Sequence, residues 1–399
     1  MDLKKDFPML NKDIIYFDNG ATTFKPQSVI DATVDYYSNY GANAHRGDYK
    51  ISLKVDMAYE GVRDKVKDFI NADKREEIIF TSGASMSMNM ITQGFFKHIL
   101  EEGDEVLITN SEHASLVLPW FVLENDINIK VNFINLDENY HVTIENIKRK
   151  VTPNTKVICL SWVSNVIGDI RPIKEIASFA HQNGIFFVVD GAQGVPHMKC
   201  DVKALDVDFL AFSAHKMCGP TGVGVLYGKF ELLDEVEPLI YGGGMNESFD
   251  DKDHIYLKDL PLRLEAGTPN IAGVIGFGAA IDYLQKIGME KIEAKEIKLK
   301  KYLVENLSKI KHIDIINEEA ENGILAFNVD GIFAQDVTIY LDKYNICTRA
   351  GNHCAKLVKN EIGTNNTVRI SMYFYNTTEE IDKLVSLLSN KDKIMKEMI

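Results

Sequence analysis

From Glu76 to Lys229 the sequence repeats one alternation, a short β-branched or aromatic run bounded by turn residues and then a segment with apolar residues at helical spacing. Such a chain must set strands side by side and cover the sheet with the intervening helices, which is α/β architecture. The runs are Glu77 to Thr81, Glu105 to Thr109, Ile127 to Leu136, Val157 to Trp162, Ile185 to Val189, Phe209 to Phe212 and Gly224 to Tyr227, and they predict one large sheet. Several, such as Phe186-Phe187-Val188-Val189, are apolar without alternation, as expected where helices cover both faces of a parallel sheet.

One crossover shows the local logic. Pro172 suits a first helical turn, Ile173, Ile176, Ala177 and Ala180 recur at i, i+3, i+4 and i+7, and Gly184 can close the helix. The next strand then ends at Asp190, placing a carboxylate at the C-terminal edge of the sheet, where open α/β sheets bind ligands. Beyond about residue 280 the character changes. Leu299, Leu303, Leu307 and Ile310 form a helical stripe, and Thr377 with Glu380 makes a capping-box pattern before Ile381, Leu384, Val385 and Leu388. The runs Ile324 to Val329, Ile346 to Arg349 and Val368 to Phe374 between them predict a smaller α+β layer.

Composition narrows the classes of function. With 44 Lys and Arg against 58 Asp and Glu, the net charge of −14 repels phosphate polymers and anionic membranes, so neither nucleic acid nor a membrane is an expected partner. The opening MDLKKDFPMLNKD has no apolar leader, which predicts a cytoplasmic protein. The longest uncharged apolar stretch, Gly267 to Ile281, is too short for a membrane span. Five scattered cysteines, Cys159, Cys200, Cys218, Cys347 and Cys354, lack CxxC spacing, which argues against a disulfide framework and a structural metal.

Three predicted strand ends carry chemistry. Asp190 ends one strand, Lys216 follows another ahead of a glycine-rich turn, and Thr81-Ser82-Gly83-Ala84-Ser85 ends a third and opens a helix. A helix N-terminus of small residues suits a phosphate, an Asp can keep a pyridine nitrogen protonated, and a Lys can hold an aldehyde as a Schiff base. Together they suit pyridoxal 5′-phosphate.

At this point the chain resembles the class V, fold-type I pyridoxal-phosphate enzymes, specifically the group II cysteine desulfurases of the Suf type, which include selenocysteine lyases. The resemblance covers nearly the whole chain and rests on YFDNGATTFKP near the start, HRGDY at 45–49, SEHASLVLPW at 111–120, VSNVIGDI at 163–170, VDGAQGV at 189–195, SAHKMCGPTGVGVLY at 213–227, LEAGTPN at 264–270 and RAGNHCA at 349–355.

The resemblance implies a fold-type I transferase with a mainly parallel seven-stranded sheet. It divides the chain into an arm at 1–20 packing with the small domain, a large cofactor-binding domain at 21–270, and a smaller α+β domain at 271–399 carrying a cysteine loop. It makes Lys216 the Schiff-base lysine, Asp190 the pyridinium partner, Gln193 the donor near the phenolic oxygen and His113 the residue stacked on the ring. Ala84, Ser85, Ser213 and His215 fall at the phosphate, and Thr268 reaches the phosphate of a second subunit, which implies a homodimer with shared sites. Asn165, Arg369 and His45 fall on the substrate side, and Cys354 at the catalytic thiol. The implied reaction converts L-cysteine to L-alanine, leaves a persulfide on Cys354 and passes the sulfur to an acceptor protein for iron–sulfur cluster assembly. Selenocysteine, cysteine sulfinate or a transaminated amino acid are alternative substrates on this fold, and a non-catalytic scaffold that keeps the cofactor for folding is the rival of another kind. The chain departs from the family pattern at Ala84, usually Thr, at Ser82 and Met86, commonly Arg and Glu, at Asn352, usually His, and at Lys356-Leu357.

Overall fold

The structure is a computed structural model and describes residues 3–45, 47–364 and 366–397. Its centre is a seven-stranded sheet of β1 (Ile78–Thr81), β2 (Glu105–Thr109), β3 (Lys130–Ile134), β4 (Thr155–Ser161), β5 (Phe186–Asp190), β6 (Phe209–Ser213) and β7 (Gly224–Gly228). Their order across the sheet is β1-β7-β6-β5-β4-β2-β3. The strands from β6 to β3 are parallel, and β7 runs antiparallel to both β1 and β6. From β2 the chain steps outward to β3 and then returns to β4 on the other side of β2. That reversal makes the gap between the C-terminal ends of β2 and β4 a topological switch point, where α/β sheets bind ligands.

The helices that follow from the predicted periodicities are present, with instructive shifts. The run Ile127 to Leu136 is divided: the helix Ala114–Ile127 continues through Ile127, Asn128 turns the chain in the left-handed region, and only Lys130–Ile134 is strand. Pro172 is the residue before the helix Ile173–Gln182 rather than in its first turn, and Gly184 closes that element at φ +67°. The run Val368 to Phe374 is strand only to Ser371: Met372 N–H still donates to the Gly323 carbonyl beside that pairing, and Tyr373 N–H then turns to Asn376 Oδ1.

Helices α1 (Gln27–Asn39) and α2 (Lys50–Phe69) pack on the apolar helix α3 (Ile271–Ile287). The contact is close because α3 presents glycines: a Cβ on Gly276 would meet Thr33 Oγ1 at 2.5 Å, and one on Gly278 would meet Val62 at 2.6 Å. This explains the long apolar stretch as a helix buried all round. Helix α3, the first element of the expected 271–399 domain, packs in this layer, and the sheet of the second unit is covered from α4 (Met289–Leu307) onward. There α4, α5 (Ala334–Asp342) and α6 (Thr378–Leu388) cover a four-stranded sheet ordered β8 (Ile313–Ile315), β9 (Ile324–Val329), β11 (Thr367–Ser371), β10 (Arg349–Gly351). Leu299, Leu303, Phe327 and Leu384 share its core. The N-terminal segment joins both units: Ile15–Tyr16 pairs in parallel with Ile346–Cys347, and Phe7 packs among Tyr283, Phe374 and Tyr375. Among the described residues no helix is long and apolar enough to cross a membrane.

Candidate active site

A cleft of about 740 Å³, including its open mouth, lies over the C-terminal ends of β4, β5 and β6 and reaches the second unit at β10 and β11. Lys216 stands on a single 3-10 turn, Ala214–Lys216, that follows β6 directly. Its amine faces the cleft and makes no hydrogen bond among the described residues. Burial pushes it down to about 8, against the upward pull of Asp190, while Arg369 and Arg349 add to the depression. Asp190 ends β5 and is buried. Desolvation raises its carboxyl, and the Ala192 N–H (2.9 Å), Lys216 and Arg171 favour the charged form.

His113 caps the helix Ala114–Ile127, its Nδ1 accepting from the Ser115 N–H at 3.1 Å. Burial first, then Lys216, Arg369 and Arg349, hold it down at about 4. It is therefore neutral at pH 7, and with Nδ1 accepting, the ring proton belongs on Nε2. His215 is likewise lowered to about 4 by burial and by Lys216. At the other end of the cleft, Gly83 precedes the helix Ala84–Ile91, the Ala84 N–H donates to Ser213 Oγ (2.8 Å), and Ser85 Oγ meets Ser115 Oγ (2.6 Å). Small residues, backbone amides and hydroxyls at a helix start make an anion cradle.

The second unit contributes two arginines and the thiol. Arg349 and Arg369 are directly paired across antiparallel β10 and β11, and both line the cleft. Like charges opposed on neighbouring strands are unfavourable by themselves and favour an anion between them. Arg369 is buried, donating to the Asn165 carbonyl (3.0 Å) and Asp18 Oδ1 (2.8 Å), with Nε unpartnered. Arg349 was not singled out in the sequence, since its importance lies in a register between residues far apart in the chain.

Cys354 is exposed at the cleft mouth, following His353, and both adopt positive φ, +52° and +61°. Three bonds hold this strained pair: Ala114 N–H to the Cys354 carbonyl (2.7 Å), Asn165 Nδ2 to the His353 carbonyl (2.7 Å), and Cys354 N–H to Asn352 Oδ1 (3.1 Å). Asn165 thus serves the loop as well as lining the cleft. Gln193 donates from Nε2 to the Gly20 carbonyl (2.8 Å), leaving its buried Oε1 unpartnered. Cys159, Cys200 and Cys218 are buried thiols whose ionisation burial opposes.

Two of the expected residues lie elsewhere. Thr268 is exposed, within 3.4 Å of Asn43 Nδ2. Asn270 caps α3, its Oδ1 accepting from the Gly273 N–H at 3.0 Å, and Pro269 lies outside the helix. His45 pairs with Glu60 (3.2 Å) on α2, away from the cleft of this chain. Arg46 of the HRGDY segment lies outside the described residues.

Comparison with known proteins agrees with this geometry. Residues 15–384 match the Aminotransferase class-V family. A probable cysteine desulfurase of Halalkalibacterium halodurans is 41% identical over 388 residues, 96% of this chain and 95% of that protein. The apo structure of a cysteine desulfurase from Thermococcus onnurineus superposes with TM-score 0.94 at 39% identity, covering 99% of this chain and 98% of that one. The Escherichia coli cysteine desulfurase CsdA, solved in an S-sulfonic acid form, gives TM-score 0.93 at 34% identity, covering 100% and 98%. A cleft with a buried lysine, a buried aspartate, opposed arginines and an exposed thiol, on a chain with these relatives along its full length, belongs to the class-V aminotransferase family of pyridoxal-phosphate enzymes and, within it, to the cysteine desulfurases.

Proposed function

We propose that the chain binds pyridoxal 5′-phosphate in this cleft and converts L-cysteine to L-alanine, with the sulfur carried away on Cys354. The observation that carries this reading is the convergence of Lys216, Asp190, His113 and Cys354 on one cleft. The residues fit the cofactor. Lys216 has an unpartnered amine for the aldehyde, Asp190 keeps one carboxylate oxygen free for a ring nitrogen, and the Ala84–Ser85 helix start with Ser213 and His215 suits a phosphate, whereas Gln193 lines the cleft with its Nε2 donating to the Gly20 carbonyl and its Oε1 able only to accept. When bound, pyridoxal phosphate supplies an electron sink for the bonds broken at the substrate's α-carbon.

The chain's own groups do the rest. Arg369 and Arg349 take the substrate carboxylate between them, a charge-assisted contact that also relieves their mutual repulsion. Lys216, with its depressed pKa, is the base that moves a proton at the α-carbon. Cys354 then attacks the substrate sulfur as a thiolate, so the C–S bond electrons return to the carbon skeleton and a persulfide remains on Sγ. Lys216, protonated by the step at the α-carbon, returns the proton to the departing skeleton, and neutral His113 offers its Nε2–H in the cleft as a hydrogen-bond donor without giving it up. A second thiol, on an acceptor protein, removes the terminal sulfur from the exposed Cys354, and iron–sulfur cluster assembly is its destination in this reading.

The active unit is a homodimer. Support comes from the apolar outer faces of α1 and α2, where Tyr37 is 70% and Met57 78% exposed, with Val34 and Leu53 beside them. Thr268 then serves the neighbouring subunit's phosphate, which accounts for its place outside this chain's cleft. The deciding experiment incubates the purified protein with L-cysteine and measures alanine and, with a reductant, sulfide. Equal amounts of both are expected; no alanine overturns the reading. Borohydride reduction and peptide mapping add the cofactor test, with the pyridoxyl label expected on Lys216 alone.

A further inference from the structure

Beneath the cleft lies a set of charges with no part in the chemistry above. Parallel β2 and β4 stop pairing at Leu107–Ile158, so their last residues diverge toward the cleft at the switch point. The guanidinium of Arg171, fully buried, fills the gap that opens. Its Nη1 donates to Glu112 Oε1, the Ser161 carbonyl (2.9 Å) and Ser161 Oγ (2.7 Å), and its Nη2 to Ser111 Oγ (2.8 Å) and Thr109 Oγ1 (3.2 Å). Glu112, also fully buried, completes the clamp: Oε1 accepts from Thr109 Oγ1 (2.7 Å) and Oε2 from the Ser161 N–H (2.9 Å).

These hydrogen-bond partners sit at or just past the ends of β2 and β4, and Asp169 Oδ2 adds an ion pair to Nε at 3.6 Å. Glu112 directly precedes His113, and Ser161 lines the cleft opposite Asp190 in the sheet register. We infer that Arg171 is a positioning residue of this site, holding through Glu112 the backbone that presents His113 and through Ser161 the strand end beside Asp190. A guanidinium suits the task because its planar fork reaches several acceptors at once, which an ammonium cannot. Hydrophobic residues could close the same gap, and a buried ion pair is weak evidence of stability, so its value here is geometric.

This inference rests on the proposed reaction only for its kinetic arm. The test uses the charge-neutral double variant Arg171→Met with Glu112→Gln, which removes the fork and its paired carboxylate together and leaves Asp169 its contact with His141 (2.8 Å). In the cofactor-free protein, NMR titration of the His113 ring is the deciding readout. In the wild type the ring is held near 4 by burial and by facing Lys216, Arg369 and Arg349. In the double variant, titration should move up toward 6.5, the value of a histidine released to water. With cofactor, kcat for alanine formation should fall at least tenfold while KM for L-cysteine stays within threefold. A His113 titration unchanged in the double variant overturns the inference, whatever the kcat. If the double variant fails to fold, Arg171→Lys, which keeps the charge and loses most of the fork, decides by the same titration. A wild type that makes no alanine refutes the proposed reaction and leaves the titration arm intact.

Discussion

At the scale of single residues, Cys354 and Lys216 divide the work and should separate experimentally. Cys354→Ser should keep the cofactor absorbance and lose most sulfide release from L-cysteine, because the thiol acts only on sulfur; wild-type sulfide release by this variant would exclude a Cys354 persulfide. Lys216 yields a pH prediction. Only its neutral amine can condense with an aldehyde, and burial brings that form to half occupancy near pH 8 instead of above 10. Uptake of pyridoxal phosphate by the cofactor-free protein should therefore accelerate as pH rises through about 8 and then level off. Stopped-flow absorbance would check it, and a rate still climbing in proportion to hydroxide above pH 10 would contradict the depressed pKa. In the sequence Lys216 stood out by the glycine-rich turn that follows it, whereas Cys354 was marked by the family resemblance. Arg349 and Arg171 were not singled out, because their meaning lies in which strands they face.

At the scale of elements, local chemistry set what could be read. The helix Thr378–Leu388 begins as its sequence predicts: Thr377 Oγ1 caps the Glu380 N–H, and Glu380 Oε2 accepts from the Thr377 N–H at 3.0 Å. Thr377→Ala should cost about 1 kcal/mol of stability, read as a lower denaturant midpoint at unchanged slope. The start of α3 was less legible, since Thr268 and Asn270 are both capping residues flanking Pro269, and either frame satisfies the local rules. The end of the strand at Ser371 was hidden for another reason. Met372 to Tyr375 remain buried and apolar after the strand stops, and the turn is made by an Asn376 side chain that periodicity does not see.

At the scale of the whole molecule, the parallel sheet followed from the alternation of runs and helices, whereas the strand order that makes the switch point and the subunit association depend on contacts no run reveals. Sedimentation with detection at the cofactor band should show a dimer, and Thr268→Ala should weaken cofactor retention with the fold intact; a fully loaded, active monomer would refute shared sites. The N-terminal segment has a further consequence in time. Asp18 and Arg369 meet across 351 residues of sequence, and Gly20 accepts from Gln193 inside the cleft. During synthesis on the ribosome the first strand leaves the exit tunnel long before its partner at Ile346–Cys347 exists. The cleft consequently cannot close around a ligand before Arg369 has emerged. Its assembly waits on a segment some 350 residues after Asp18, and every chain cut short before β11 emerges without the wall that carries Arg369.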